Sequence, residues 1–269
     1  MWQADPSTPI ALLLMAAAYV GISYNSGQRP SARQSCAFAA ALVTIQVAIT
    51  GPLDQLTRER SFAVYIFQQM LLIFVVPPLL LSGLPGWMLR PLMTNRYVEP
   101  WARVLTRPLF AFLLFAAVFT LIHYPVVCDR ICHVHPFYGN LHVLLLFVGT
   151  VLWWPLLSPL PEYPRMNYPM QVMYLFLLMI PMTAVAAPIT LASTILYTFY
   201  IGGMHPLGMT PMADQVLGGL IMWVGQGVYV MFVFTAIFYR WSQTDDQEEP
   251  PINREPIPRL RAASVHLHH

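Results

Sequence analysis

The sequence predicts an all-α, polytopic integral membrane protein: seven transmembrane helices in one bundle, N-terminus outside and C-terminus inside. Three observations predict it. Of the 269 residues, 57% are hydrophobic and only 10% are charged, against roughly a quarter charged in soluble domains. Mean hydropathy is +0.57. Seven apolar stretches approach or exceed the roughly 20 residues that a hydrocarbon core of about 30 Å requires, and none holds an internal Asp or Glu. This composition excludes a disordered chain and an ordinary soluble enzyme. The net charge of +2 provides no basic surface, so a nucleic-acid partner is excluded. The lipid bilayer is the first partner. The runs are continuously apolar and lack the period-2 alternation of barrel strands, which selects helices.

The stretches lie at about 8–24, 37–53, 62–82, 108–126, 139–157, 170–197 and 215–240. The first is flanked by Asp5 and no base, so it reads as a span and not as a secretory signal. The third holds Pro77-Pro78, and the sixth holds Pro181 and Pro188. Each proline removes a backbone donor and is expected to interrupt its helix. In lipid the freed carbonyls must find partners inside the bundle. A packing kink is the plainer reading of these prolines; an opening toward a buried site is the functional one. Residues 1–241 form the bundle. Residues 242–269 read as a flexible cytoplasmic tail, with Asp245, Asp246, Glu248 and Glu249 followed by four prolines.

Arginine placement sets the orientation. The inner side takes Arg29, Arg33, Arg90, Arg96, Arg103, Arg107, Arg165 and Arg240, then Arg254, Arg259 and Arg261 in the tail. The outer loops take Arg58, Arg60 and Arg130.

On this topology the chemistry-bearing residues gather outside. Cys128, Cys132, His133 and His135 place two thiols and two imidazoles within eight residues of the 4–5 loop. Thiolates favour Cu(I), and imidazole also suits copper. The 6–7 loop adds Met204, His205, Met209 and Met212. For the Cys pair three readings stay open: a disulfide, which needs a bent backbone between the two, a shared metal, or unpaired thiols. For the Met loop, packing at the membrane surface is the plainer reading. Inside the membrane, Tyr65/Gln69 and Tyr138/His142 are both i,i+4 pairs, so each pair shares a helix face. A hydrogen-bonded packing network competes there with a ligand site. No phosphate loop, nucleophile elbow or pair of intramembrane carboxylates is present, so no enzyme is expected. Cys128-x-x-x-Cys132-His133 is one residue longer than the c-type haem signature, so no haem is expected.

Three blocks carry a resemblance. They are Gln68-Gln69-Met70 through Pro77-Pro78-Leu79-Leu80, His142 through Trp153-Trp154-Pro155-Leu156, and Asp214-Gln215-x-x-Gly218-Gly219-x-x-Met222-Trp223. Tyr174 through Pro181-Met182 also fits. Over about 60–241 the chain resembles the CtaG-type cytochrome c oxidase assembly factors that accompany caa-type oxidases. The resemblance implies seven spans, an outward N-terminus and a role in delivering copper to the oxidase. It also implies His-x-x-x-His in the third span and His-x-x-Glu-His in the fifth. This chain has Tyr65 and Gln69 in the third, and Tyr138, Leu141 and His142 in the fifth. Of the four histidines implied, His142 alone is kept.

The expected function is therefore that of an accessory or assembly protein of a haem-copper cytochrome c oxidase, with oxidase subunits as partners. It would handle Cu(I) at the outer face through Cys128, Cys132, His133, His135, Met204, His205, Met209 and Met212, with His142 behind them. The alternative is a metal-free structural subunit that stabilises a respiratory oxidase complex or supercomplex.

Overall fold

A computed structural model describes residues 7–133, 135–203 and 208–248. All regular structure among them is helical. Six helices are long and apolar enough to cross a membrane. Five form span 1 (Ser7–Ser26), span 3 (Phe62–Gly83), span 5 (His135–Leu157), span 6 (Tyr168–Leu191) and span 7 (Pro211–Thr244). The sixth runs to Thr57 and contains span 2, the helix Ala32–Thr50. A seventh passes when Glu99–Leu105 and Pro108–His123, bent by 79°, count as one span. Its crossing part, span 4 (Pro108–His123), has 16 residues, about 24 Å at 1.5 Å per residue.

Several boundaries differ from expectation, each for a local reason. Span 2 starts at Ala32 because Ser31 and Gln34 form a reciprocal capping box there. It ends at Thr50, ahead of Gly51-Pro52. Span 4 stops at His123, where Tyr124 turns extended before Pro125 opens a new helix, Pro125–His133. Span 6 ends at Leu191, not at residue 197; Ala192 is extended and the next residues are held as a loop. Span 7 begins at Pro211, capped by Thr210, and helix continues past Trp241 to Glu248. Residues 249–269 of the expected tail lie outside the described residues. Span 6 runs through Pro181 and Pro188 as one unbroken helix, so neither proline interrupts it.

Span 3 is where the prolines act. Its α-helix gives way to a π-helical turn at Leu71–Val75 just before Pro77 and Pro78. A proline at position i leaves the carbonyl at i−4 without its usual donor. Those carbonyls belong to Ile73 and Phe74. Trp153 of span 5 donates its Nε1–H to the Ile73 carbonyl at 2.9 Å. Tyr229 of span 7 donates its hydroxyl to the Phe74 carbonyl at 2.5 Å. Gly149 keeps span 5 against the kink, since a Cβ there would lie 2.8 Å from Pro77 Cγ. The same compensation recurs at the end of span 2. Pro52 leaves the Ala48 carbonyl free, and Gln68 Nε2 donates to it at 2.7 Å.

Loops sort to two ends. At one, which we call the capped end, residues 51–61, 124–133 and 192–203 meet: Tyr197 bonds the His123 carbonyl and Asp129 bonds Thr198. At the arginine-rich end, Arg90 pairs with Glu162 at 2.7 Å, and Tyr163 donates to the Met93 carbonyl at 3.1 Å. This sorting is the alternation that successive crossings produce.

Trp153→Phe should lower stability by about 1–3 kcal/mol, the range for stranding one buried acceptor. Pro77→Ala in that background should recover part of the loss, because it restores an N–H in the same turn. Thermal unfolding of the purified variants in detergent reads both effects.

Candidate functional site

The capped end is built around one carboxylate. Asp214 sits in the first turn of span 7 and is fully buried. It crosses to the N-terminus of span 3, where helix Phe62–Met70 leaves its first N–H groups without intrahelical acceptors. Asp214 accepts from the Phe62 N–H at 2.6 Å, the Ala63 N–H at 3.2 Å and the Ser61 hydroxyl at 3.0 Å. A carboxylate at a helix N-terminus is also favoured by the helix dipole. Two glycines allow the approach. A Cβ on Gly218 would meet the Phe62 ring at 2.5 Å, and one on Gly219 would meet Thr190 Oγ1 at 2.4 Å. The Asp-Gln-x-x-Gly-Gly motif is thus a docking device that seats span 7 against spans 3 and 6.

The neighbouring Gln215 holds the chain after span 6. Its Oε1 accepts from the Leu196 N–H at 2.7 Å, and its Nε2 donates to the Thr194 carbonyl at 3.3 Å. This is why residues 192–197 leave the helix although they are mostly apolar. Further along, Asp129 accepts from the Thr198 hydroxyl at 2.6 Å and the Thr198 N–H at 3.1 Å. Arg60 stacks its guanidinium over Phe199, 4.9 Å from the ring centroid. Arg60 has φ +68°, in the left-handed region that costs a non-glycine residue about 1–2 kcal/mol. Gly203 accommodates it, since a Cβ there would lie 2.5 Å from the Arg60 carbonyl oxygen. Tyr197 stacks on Phe62 with centroids 4.4 Å apart and donates its hydroxyl to the His123 carbonyl at 2.8 Å. Burial, reinforced by Cys128 and Asp129, pushes this hydroxyl above the usual tyrosine range and keeps it a donor.

Beneath this end lies a layer of buried polar side chains. Gln68 bonds at both ends of its amide: besides Nε2 to Ala48, its Oε1 accepts from the Thr57 hydroxyl at 3.2 Å. Tyr65 packs its ring at 5.9 Å from Tyr200. Gln69 follows one turn later and is 1% exposed. Spans 3 and 5 run parallel, and Gly149 marks their register against Ile73 and Pro77. Two turns back, buried His142 therefore stands at the level of residues 66–70. His123 ends span 4 in the same part of the bundle. Its Nδ1 lies 2.8 Å from the Phe119 carbonyl, and its ring is 4.4 Å from the Phe119 ring.

The other residues singled out in the sequence fare unevenly. Cys128 is fully buried on helix Pro125–His133, one unbroken turn before Cys132. The bend that a disulfide between them needs is not seen in that backbone. Met209 and Met212 are half-buried at the entry to span 7. The side chains of Cys132, His133, His135 and Tyr138, and all of Met204 and His205, lie outside the described residues. Among the described residues no three His, Cys, Asp or Glu side chains converge as a metal site. His123 was visible in the sequence only as a histidine at a span end; its buried ring position required the fold.

Comparison with known proteins fits this architecture. The family described as "Cytochrome c oxidase caa3 assembly factor" matches residues 14–244. An uncharacterized protein of Mycobacterium bovis and one of Mycobacterium tuberculosis are each 29% identical over 201 residues, covering 68% of this chain and 30% of theirs. An uncharacterized protein of Mycobacterium leprae is 27% identical over 143 residues, covering 52% of this chain and 22% of its own. The match thus spans less than a third of the length of these relatives. No solved structure matches.

Asp214→Ala should strand two backbone donors and the Ser61 hydroxyl, at a cost of about 3 kcal/mol or more. Asp214→Asn keeps one acceptor oxygen and should lose less. Gly219→Ala should destabilise through its clash with Thr190. The amount of folded protein in membranes and its melting temperature check all three; an unchanged Asp214→Ala variant would remove the carboxylate from its central role.

Proposed function

Since the chain belongs to the cytochrome c oxidase caa3 assembly factor family, we propose that it serves the assembly of a haem-copper cytochrome c oxidase as a non-catalytic, multi-pass membrane protein. The observation that carries this reading is the family match, which covers nearly the whole bundle. Its fold supports a scaffold role. The polar side chains traced above mostly bind backbone or one another, and the wide lipid-facing surface presents residues such as Leu13, Leu109, Met173 and Phe232. Oxidase subunits would dock on such faces within a bacterial inner membrane.

The arginine split sets our proposed orientation, with the capped end outside and the arginine-rich end in the cytoplasm. Copper handling is the finer reading. Cys128, Cys132, His133, His135, His142, Met204, His205, Met209 and Met212 would be its donors, drawn from the capped end and the layer below. Against it stands the position of Cys128, fully buried on an unbroken helix, where Cu(I) could reach the thiol only after local opening. We therefore favour a metal-free scaffold, with copper transfer as the second reading; what recommends that one is that soft donors collect at a single end.

Deleting the protein should leave the oxidase poorly assembled, read as lost oxidase activity and missing subunits in native gels. Cys128→Ser combined with Cys132→Ser should preserve a metallated oxidase on the scaffold reading. Loss of oxidase copper, with the variant still present in the membrane, would instead favour transfer. Tags on the N-terminus and in the 124–138 loop should react from outside and a tag after residue 248 should not; the reverse pattern would invert the orientation.

A further inference from the structure

Buried polar atoms are almost always hydrogen-bonded, and each exception needs a physical explanation. Here most of the exceptions cluster; Trp154 Nε1, five residues past Gly149 on span 5, stands apart toward the other end. Both amide atoms of Gln69, Nε2 of His123 and Oε1 of Gln226 have no hydrogen-bond partner among the described residues. Gln69 is 1%, His123 3% and Gln226 4% exposed. Their levels agree. Phe115 and Phe74 meet edge to face, and two turns toward the capped end from each bring span 4 to His123 and span 3 to residues 66–67. Tyr197 gives the same placement, bonding the His123 carbonyl while stacking on Phe62. Span 7 runs parallel to span 3, and Tyr229 reaches Phe74. Gln226, one turn earlier, falls near Leu71. The orphaned atoms therefore occupy one layer beneath the capped end, at the height of His142.

The donor inventory says what fits there. His123 Nδ1 faces a carbonyl, which only accepts, so Nδ1 carries the hydrogen and in the neutral ring Nε2 is a bare acceptor. Gln226 offers another acceptor, and Gln69 offers one acceptor and a two-hydrogen donor. A ligand that both donates and accepts satisfies this set. Water does so, and buried waters take this role in protein interiors. A soft cation does not. It would take His123 Nε2 but leave the Gln69 amide hydrogens without a partner, and a carboxamide and a phenol are poor ligands for Cu(I).

We propose that this layer is an internal water site, held by Gln69 with His123 and Gln226, and not a metal site. The height at which the resemblance implies intramembrane metal ligands is thus hydrated in this chain. This inference is independent of the assembly role and stands or falls separately from it.

Water-edited solid-state NMR on full-length protein in nanodiscs, with 15N-labelled histidine, tests it. The His123 signal is identified by its absence in His123→Phe. We expect water magnetisation to reach the His123 ring, and Gln69→Leu to remove most of that transfer. A His123 ring as dry as lipid-facing positions overturns the proposal, as does transfer unchanged in a folded Gln69→Leu variant. If that variant does not accumulate, the wild-type transfer alone decides. Cu(I) added in excess and then desalted away should leave the His123 and His142 resonances where they were. A shift of both, with copper retained in equal amount to protein, overturns the water reading in favour of a metal.

Discussion

Every backbone N–H and C=O placed in a bilayer must find a partner within the protein, and that constraint organises this bundle. Proline and helix termini create the unmet groups, and side chains from distant spans meet them. Trp153 and Tyr229 serve the carbonyls ahead of Pro77-Pro78. Gln68 serves the one ahead of Pro52, and Asp214 serves the start of span 3. In each case one hydrogen bond also fixes which two spans are neighbours and at what height. Apolar packing cannot do this alone, because lipid tails are as apolar as the helix surfaces they would replace.

The same accounting separates structure from chemistry in the polar inventory. Gln68, Gln215, Asp129 and Asp214 all have assigned partners and hold loops or helix ends. Apart from the Trp154 indole nearer the other end, the atoms left over gather in one layer, and that layer is amide and imidazole, not thiolate. A family whose members work on a copper enzyme can retain its scaffold while the interior of one member carries Tyr65, Gln69 and Leu141. None of these helix-seating interactions depends on metal at that height.

Much of the fold was legible in the sequence because hydropathy over twenty residues is a strong signal. The ends of the spans were not. Residues 192–197 are apolar enough to extend span 6, and only the Gln215 side chain, arriving from span 7, shows why they are loop. The bent route into span 4 and the unbroken passage of span 6 through Pro181 and Pro188 were equally hidden. The blocks around Trp153-Trp154-Pro155 and Asp214-Gln215 were recognisable as strings. Their purpose was not, since it lies in partners such as Ile73 and Phe62, far away in sequence. Likewise the expected outer donors were named by residue type, but burial of Cys128 and the bare acceptor on His123 are facts of packing. Residue type alone does not carry them.

The cap on span 3 has a consequence in time. Phe62 and its acceptor Asp214 are separated by 152 positions. At about 5–20 residues per second, a ribosome needs roughly 7–26 seconds to supply the carboxylate after span 3 has emerged. Until then the Phe62 and Ala63 N–H groups lack the acceptor that they have in the folded protein. Span 7 is therefore the last element needed to close this helix end. Chains truncated before it would carry an open helix end, the kind of defect that membrane quality control can recognise.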